Sequence, residues 1–336
     1  MRFFLAFLLL FSGQSFGQET LFITGIGGFI GFHTAMEAQR RGYAVVGIDN
    51  FNDYYDPALK KARASLLSNQ GIEVIEADLC DQVRMEEIFN SNEFDGIIHL
   101  AAQAGVRASF EIPKTYIDSN IVGTWLLLEL NRKKKIPMIA ASSSSVYGDQ
   151  GPFPSAESNS TDAPLSLYAA TKKAVEAISH SYHSMYGIPI TCLRFFSVYG
   201  PWGRPDMAYY GFSKKILQGI PISLYGGGAL LRDLTYIDDI VSGIFLSLDK
   251  IEGFHIYNLG CSRPHTTIEI VAEIERYLGL SAQVVLTDKP GGDAIKTHAD
   301  ISKAQSELGY QPKVFLSEGI GKFLSWLQEY EPELFQ

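Results

Sequence analysis

A tyrosine and a lysine four residues apart are the first side chains in this sequence whose spacing suggests chemistry. Tyr168 and Lys172 stand in the run YAATK, and on a helix this spacing places both on one face. A free tyrosine has a pKa of about 10, so it is a poor base unless a fixed cation favours the phenolate. Ser143 precedes Tyr168 by 25 residues, and its hydroxyl can share a substrate hydrogen bond. Together these side chains predict removal of a proton from an alcohol.

Three glycines spaced three residues apart predict a dinucleotide site. Gly25, Gly28 and Gly31 follow a short apolar run and open a helical pattern, which is the strand, turn and helix setting that this motif requires. Glycines there permit a tight turn and let a pyrophosphate approach the amides at a helix N-terminus. Phe29 and Ile30 lie inside the turn and are cofactor-binding candidates with it.

Carboxylates after the next two strands indicate which dinucleotide binds. Asp49 ends the second predicted strand, 18 residues after Gly31. A carboxylate there accepts hydrogen bonds from the ribose hydroxyls and repels a 2′-phosphate, which favours NAD over NADP. Asp78 and Leu79 follow the third predicted strand, where they can reach the adenine. An N-cap of the following helix is the alternative for Asp78.

The elements that must position these groups alternate between strands and helices. Strands are predicted over 21–24, 43–48, 72–77, 96–100, 138–142 and 190–194, with helices from the glycine turn to 41 and over 57–68, 83–90, 113–133 and 168–186. Short apolar strands without polar alternation are buried on both faces, which indicates a parallel sheet covered by helices. We therefore expect an α/β protein with a Rossmann-type doubly wound parallel sheet and a smaller C-terminal α/β substrate-binding lobe.

The order and spacing of the predicted strands and helices also predict the domain boundaries. Residues 19–196 are expected to form the NAD-binding domain, and residues 235–260 to return to it with a strand over 254–259. Prolines and glycines punctuate shorter elements after residue 197. Residues 197–234 and 261–336 are expected to form the substrate-binding lobe.

Charge and cysteine usage exclude several classes of partner. A net charge of −9 over 336 residues argues against nucleic acid or an anionic membrane as the main partner. The three cysteines are far apart, so they form neither a disulfide framework nor a metal-spaced pair. A reducing compartment without a protein-bound metal is the expectation.

Residues 1–18 do not share the α/β pattern. Arg2, an apolar run over 3–11 and a small, polar stretch over 12–18 have the outline of a signal peptide, but the run is too short to span a bilayer. Three interpretations stay open: an export signal, a membrane-proximal tail, or an extension that carries no fold information. A cytoplasmic location is expected because NAD would be acquired during folding, so membrane contact by this segment is left open but not favoured.

Longer motifs resemble the extended short-chain dehydrogenases/reductases, and within them the nucleotide-sugar 4-epimerases. These motifs are HLAAQA at 99–104, SNIVGT at 119–124, LRFFS at 193–197 and RDLTYIDD at 232–239. Narrower motifs resemble UDP-glucuronate 4-epimerases: NDYYD at 52–56, AGVR at 104–107 and VYGPWGRPDM at 198–207. The resemblance runs from about residue 20 to the C-terminus. It implies NAD-dependent conversion of UDP-glucuronate to UDP-galacturonate through a 4-keto intermediate, by a homodimer that pairs the helices over 113–133 and 168–186.

The resemblance also implies a role for each matching residue. Tyr168 would be the general base and later the acid, and Lys172 would hold the nicotinamide ribose and lower the pKa of Tyr168. Ser143 would orient the sugar 4-oxygen, although the serine run leaves Ser145 as an alternative. The cofactor candidates gained from the resemblance are Ala101, Ala102 and Phe196.

Substrate candidates come from the same comparison of motifs. Arg232 would meet the diphosphate and Asp293 would lie near the uridine, whereas Arg107 and Arg204 suit either the sugar carboxylate or the phosphates. The remaining substrate candidates are Ser143, Ser144, Ser145, Ser197 and Tyr225.

Three functions remain open at this point: a UDP-glucuronate 4-epimerase, another UDP-sugar enzyme of this fold, or a non-catalytic NAD-binding protein. The second class includes UDP-glucose 4-epimerases, UDP-glucuronate decarboxylases and nucleotide-sugar dehydratases. In this family dehydratases carry an Asp–Glu pair after the catalytic hydroxyl and decarboxylases carry a Glu in that loop. Residues 143–147 read SSSVY and hold no carboxylate, which favours simple epimerisation.

Overall fold

The computed structural model describes residues 17–149, 151–288 and 294–336. Residues 1–16 of the signal-like segment and the substrate candidate Asp293 therefore lie outside the described residues. Within the described ranges, no helix combines the length and the apolar composition needed to cross a membrane.

Most of the strands follow the predicted alternation with helices. In chain order they are β1 (Thr20–Thr24), β2 (Ala44–Asp49), β3 (Glu73–Glu76), β4 (Gly96–His99), β5 (Met138–Ser143), β6 (Ile190–Phe195), β7 (Ser197–Tyr199), β8 (Ile222–Tyr225), β9 (Leu231–Tyr236), β10 (Phe254–Leu259), β11 (Pro264–Thr266) and β12 (Val284–Thr287). Each of the six strands predicted before residue 196 is present, within about two residues of its predicted ends.

The helices cover both faces of the main sheet. They are α1 (Phe29–Arg40), α2 (Pro57–Asn69), α3 (Gln82–Ser91), α4 (Ala108–Glu111), α5 (Pro113–Tyr116), α6 (Gly123–Lys134), α7 (Leu167–Tyr186), α8 (Ala208–Leu217), α9 (Ile237–Leu248), α10 (Thr267–Leu278), α11 (Ser302–Leu308) and α12 (Leu316–Tyr330). A π-helical turn, Ile117–Val122, joins α5 to α6, and a 3₁₀ turn, Ser144–Tyr147, follows β5.

Seven parallel strands form the main sheet in the order β10-β6-β5-β4-β1-β2-β3. The order reverses between β1 and β4, which is the topological switch point where doubly wound folds bind ligands. The predicted α/β fold class is thus confirmed, and the strand expected over 254–259 returns to the sheet beside β6. The chain leaves the sheet at Phe196, after which β7, β9 and β11 form one small sheet and β8 pairs with β12. The exact domain boundaries stay a prediction.

The single helix predicted over 113–133 differs from the structure, which has a π-helical turn at its centre. That turn directs Asn120 into the interior, where its Oδ1 accepts a hydrogen bond from the Gln103 backbone N at 2.7 Å. Its Nδ2 donates to the Gln103 carbonyl oxygen at 3.1 Å and to Thr171 Oγ1 at 3.0 Å. A buried amide needs such partners, so local hydrogen bonding competes with the regular helix at this point.

A buried ion pair fastens α7 to the main sheet. Glu176 on α7 accepts from Arg194 Nε at 2.7 Å and from Arg194 Nη2 at 2.9 Å, and both side chains are only 2% exposed. Ser142 Oγ, on β5, donates to the same carboxylate at 2.6 Å. Arg194 Nη1 in turn donates to Tyr147 Oη at 2.8 Å. The carboxylate therefore holds one helix and two neighbouring strands in fixed register.

Glu176→Ala is expected to destabilise the fold, because it leaves the Arg194 guanidinium buried without its partner. Losing one member of a buried pair costs about 3–5 kcal/mol of unfolding free energy. Thermal unfolding followed by calorimetry measures this loss. Arg40→Ala is the matched control, since Arg40 pairs with Glu37 at the surface, where its side chain is 72% exposed. Equal melting temperatures for Glu176→Ala and Arg40→Ala would contradict the role of the buried pair.

Candidate active site

A cavity of about 820 Å³ lies along the carboxyl ends of the main-sheet strands and reaches into the C-terminal lobe. Its volume is in the upper part of the range for small-molecule sites. The structure brings the described site candidates together along this cavity: Gly25, Gly28, Phe29, Ile30, Gly31, Asp49, Asp78, Leu79, Ala101, Ala102, Arg107, Ser143, Ser144, Ser145, Tyr168, Lys172, Phe196, Ser197, Arg204, Tyr225 and Arg232.

The glycine turn has the shape that a dinucleotide requires. Gly25 has a φ of +73°, and a Cβ atom on Gly31 would lie 2.1 Å from the Gly25 carbonyl oxygen. Side chains at these positions would therefore force the turn apart and fill the approach to the first amides of α1. The N-terminus of α1 lies at the cavity, where its backbone amides and the helix dipole favour a phosphate. The turn fits a pyrophosphate.

Asp49 is fixed beside this turn. Its Oδ2 accepts from the Gly27 backbone N at 3.1 Å and its Oδ1 from the Phe51 backbone N at 2.8 Å. Burial raises the pKa of Asp49, and the two backbone hydrogen bonds together with Lys60 and Arg63 counteract that rise. A carboxylate held at the end of β2 suits ribose hydroxyls, so the residues present fit NAD.

Asp78 borders the same region but does not cap a helix. Its Oδ1 accepts from the Cys80 backbone N at 2.8 Å, and its Oδ2 accepts from Asn50 Nδ2 at 2.9 Å. Asp81 is the N-cap of α3, accepting from the Arg84 backbone N at 3.1 Å. The N-cap alternative for Asp78 is therefore wrong, and Asp78 instead stabilises the loops that border the cavity.

Tyr168 and Lys172 project from the first turns of α7 because Ser166 caps this helix at Ala169 N, 3.1 Å away. Lys172 Nζ donates to the Ala141 carbonyl oxygen of β5 at 2.8 Å. Burial lowers the pKa of Lys172 to about 8. The ammonium group is therefore fixed against the sheet at the edge of the cavity.

The environment of Tyr168 differs from the one expected from its sequence spacing. Burial raises the pKa of Tyr168 above 10, whereas hydrogen bonding with Ser143 and the charge of Arg204 lower it. The charge that lowers the pKa of Tyr168 in the protein alone therefore includes Arg204, which is distant in sequence. Without further positive charge the phenol stays protonated at neutral pH.

Residues 142–145 form a run of four serines that spans the end of β5 and the start of a 3₁₀ turn. Ser143 Oγ accepts from the Ser145 backbone N at 3.1 Å, and the two hydroxyl groups are also 3.1 Å apart. This hydrogen bond begins the 3₁₀ turn over Ser144–Tyr147. Of these serines, Ser143 is the one whose side chain lowers the pKa of Tyr168.

The candidate arginines lie on different segments of the cavity wall. Arg204 donates from Nε and Nη2 to Asp206 at 2.9 and 2.6 Å. Arg107 lies over the Tyr225 ring, 4.8 Å from its centroid. Arg232 Nη1 donates to the Leu231 carbonyl oxygen at 2.9 Å. All three side chains line the cavity, and a guanidinium group is suited to recognising an anionic ligand.

Several cavity residues were not singled out by the sequence analysis: Asn52, Tyr54, Lys60, Gln103 and Asp206. Tyr54 and Asp206 stand inside the two longest narrow motifs, so a signal for them existed. Lys60 had no such signal, because only folding brings its Nζ within 2.7 Å of Asn52 Oδ1. Within the described residues, no group of three or more His, Cys, Asp or Glu side chains has the geometry of a metal site.

Comparison with known proteins identifies the family of this chain. A sequence model of the NAD dependent epimerase/dehydratase family matches residues 21–260. UDP-glucuronate 4-epimerase 1 of Arabidopsis thaliana is 47% identical over 333 residues, which cover 94% of this chain and 78% of that protein.

Solved structures agree with the sequence match. The UDP-glucuronic acid 4-epimerase of Bacillus cereus, in complex with UDP-glucuronic acid and NAD, superposes with a TM-score of 0.87 at 34% identity, covering 93% of this chain and 99% of that one. The UDP-glucose 4-epimerase of Thermotoga maritima, with UDP-glucose, gives a TM-score of 0.86 at 28% identity, covering 93% and 99%. The chain belongs to the NAD dependent epimerase/dehydratase family.

Proposed function

We propose that this protein is an NAD-dependent UDP-glucuronate 4-epimerase, which interconverts UDP-glucuronate and UDP-galacturonate. The observation that carries the proposal is the meeting of Tyr168, Ser143 and Arg204 beside a loop, 143–147, that contains no carboxylate. This arrangement has an acid/base and a cation for an anionic sugar. It lacks the additional acid on that loop that dehydratases and decarboxylases of the family carry.

The chain's own residues supply the proton transfer. Tyr168 takes the proton of the sugar 4-hydroxyl and returns it when the ketone is reduced, while Ser143 holds the 4-oxygen through a hydrogen bond. When bound, oxidised NAD supplies a hydride acceptor for C4 and a positive charge that favours the phenolate. Lys172 would hold the nicotinamide ribose of the cofactor, and Asp49 would accept hydrogen bonds from the adenosine ribose. The outcome is inversion once the 4-keto sugar has turned over in the cavity.

Retaining the carboxylate is the chemical difficulty of this reaction. Oxidation of a glucuronate at C4 gives a β-keto acid, which loses CO₂ most readily when the C5–C6 bond is orthogonal to the carbonyl plane. Ser144, Ser145 and Ser197 place hydroxyl groups on the cavity wall, and Arg204 adds a cation. We propose that these four side chains hold the carboxylate away from the orthogonal geometry.

We further propose that the protein is a homodimer that pairs α6 and α7. Trp125 on α6 is 47% exposed, and the exposed apolar side chains Ile117 and Val122 precede it on the π turn. Tyr182 Oη of α7 donates to Glu129 of α6, so the two helices lie side by side at this face. A second copy of this chain would bury that face in a four-helix bundle.

A cytoplasmic location is proposed from the cofactor. NAD is regenerated in each turnover of an epimerase, so it can stay bound, but it must first be acquired in a compartment that contains it. Cys192 and Cys261 are buried free thiols and Cys80 is a partly exposed one, which is compatible with a reducing compartment.

Tyr168→Phe is expected to lower epimerisation of UDP-glucuronate by about 10²–10⁴-fold, because it removes the acid/base hydroxyl and leaves the ring. The wild-type protein and the variant are each incubated with UDP-glucuronic acid and, separately, with UDP-glucose, and the products are resolved by chromatography and mass spectrometry. Wild-type conversion of UDP-glucose alone would overturn the proposed substrate. Undiminished inversion by Tyr168→Phe would overturn the mechanism.

Arg204→Ala and Ser197→Ala are expected to raise the fraction of UDP-pentose, the decarboxylated by-product, among the products of UDP-glucuronate. Each variant frees the carboxylate to reach the orthogonal geometry. Mass spectrometry of the product mixture measures the ratio of epimer to pentose. Wild-type ratios in both variants would reject the role proposed for this wall.

Trp125→Glu is expected to dissociate the dimer, because a charge would be buried at its interface. Sedimentation velocity measures the fraction of monomer at micromolar concentration. Ile268→Glu serves as the control, since Ile268 is similarly exposed but lies on α10. A wild-type protein that sediments as a monomer, or equal dissociation by both variants, would contradict the proposed interface.

A further inference from the structure

Three segments that the proposed mechanism uses only in part meet at one side chain, Tyr54. They are the narrow motifs at 52–56, 104–107 and 198–207. Tyr54 Oη donates to Asp206 Oδ2 at 3.2 Å, and the Arg204 guanidinium lies 5.9 Å from the centroid of the Tyr54 ring. Tyr54, Arg204 and Asp206 all line the cavity.

Gly105 leaves the space that the Tyr54 hydroxyl occupies. A Cβ atom on Gly105 would lie 2.1 Å from Tyr54 Oη and 3.0 Å from Tyr54 Cζ, and Gly105 has a φ of +94°. The backbone around it is held by Tyr116, whose hydroxyl donates to the carbonyl oxygens of Ala104 at 2.7 Å and Gly105 at 2.6 Å. The notch for Tyr54 is thus a fixed part of the cavity wall.

Asp206 determines which edge of Arg204 faces a ligand. It accepts from Arg204 Nε at 2.9 Å and from Nη2 at 2.6 Å, so this edge of the guanidinium is committed to the ion pair. Burial by itself raises the pKa of Asp206, but Arg204 and the hydrogen bond from Tyr54 outweigh it, and the pKa lies below its ordinary value. The carboxylate is therefore charged at neutral pH, and Nη1 is the Arg204 nitrogen that the ion pair does not use.

The loop that carries Tyr54 is itself anchored beside the cofactor site. Lys60 Nζ donates to the Asn52 carbonyl oxygen at 2.9 Å and to Asn52 Oδ1 at 2.7 Å. The Tyr54 backbone N donates to Asn52 Oδ1 at 3.3 Å. This loop starts at Asp49, so the Tyr54 hydroxyl connects the ribose-binding edge of the sheet to the segment that carries Arg204.

We propose that Tyr54 is a positioning residue that, seated in the Gly105 notch, fixes Asp206 and through it aims Arg204 at an anionic group of the nucleotide sugar. The proposal rests on the proposed function for the identity of the sugar. It assigns a purpose to the Tyr54 hydroxyl, which donates to the Asp206 carboxylate. The anionic group is the sugar carboxylate or the diphosphate, which share the chemistry that a guanidinium recognises.

Tyr54→Phe tests the hydroxyl alone, because the ring remains in place. Hydrogen bonds to charged groups are the strong ones, so KM for UDP-glucuronate is expected to rise about tenfold while kcat stays within about threefold of wild type. Tyr257→Phe is the matched control, since Tyr257 Oη donates to the Glu307 carboxylate at 2.7 Å and neither side chain lines the cavity. NAD content and melting temperature are measured for both variants.

The inhibition constant of UDP separates the two anionic groups. If the KM for UDP-glucuronate rises while the inhibition constant of UDP is unchanged, Arg204 acts on the sugar carboxylate. If the KM and the inhibition constant rise in parallel, Arg204 acts on the diphosphate. Either result supports positioning by Tyr54. A KM for Tyr54→Phe equal to that of the wild-type protein would overturn the positioning role. So would a loss of bound NAD that accounts for the whole effect.

A double-mutant cycle tests the notch. Gly105→Ala introduces a methyl group where Tyr54 Oη lies, so it is expected to raise KM in the same direction as Tyr54→Phe. The double variant lacks the atom that clashes most, and its effect should be smaller than the product of the two single effects. Simple multiplication of the two effects would show that the sites act independently and would overturn the coupling.

Failure of the proposed function would be recognised separately. If the wild-type protein does not convert UDP-glucuronic acid, the proposed function is wrong. Calorimetric titration with UDP-glucuronic acid would still test the positioning role of Tyr54. Weaker binding to Tyr54→Phe than to wild type and Tyr257→Phe would support it. Equal dissociation constants for the three proteins would overturn it.

Discussion

The placement of the reacting groups depends on how α7 is fixed to the main sheet. A carboxylate as deeply buried as Glu176 is stable only with its charge and lone pairs satisfied, and Arg194 with Ser142 satisfies them from two adjacent strands. Lys172 adds a third link by donating to the Ala141 carbonyl oxygen. A helix held at these points cannot slide along the sheet by a turn without leaving a buried charge unpaired. The distance between Tyr168 and the end of β5 is therefore set by interactions outside the cavity.

A second buried cation fixes two loops that border the cavity. Arg63 is fully buried on α2 and donates from Nη1 to the Gly27 carbonyl oxygen at 2.9 Å and to Tyr55 Oη at 2.8 Å. Its Nη2 donates to the carbonyl oxygens of Trp202 at 2.6 Å and Gly203 at 3.1 Å. The glycine turn and the residue preceding Arg204 thus share one support. Because the guanidinium is planar and its donors are fixed, a shift of either loop would break hydrogen bonds to the other.

Local patterns in the sequence were sufficient for the sheet and the glycine turn, because both follow from short-range rules of burial and backbone sterics. They also identified Tyr168 and Lys172 correctly as neighbours on one helix, since that spacing is a property of the helix alone. They did not reveal that the charge of Arg204 acts on Tyr168, or that Arg63 supports two loops. Those contacts join residues more than 30 positions apart and arise only when the chain has folded. The π-helical turn was missed for a related reason, because Asn120 departs from regular helix to reach Gln103.

The charges around Tyr168 explain how one phenol can serve as both acid and base. Burial raises its pKa above 10 although Arg204 and Ser143 lower it, so the phenol is protonated at neutral pH in the protein alone. Asp206 has a lowered pKa and is paired with Arg204, so the cation near Tyr168 carries its own counter-ion. A permanently ionised phenol would accept the first proton readily but would return it poorly. A phenol that ionises only when a ligand brings further positive charge can do both, as an epimerase must in each turnover.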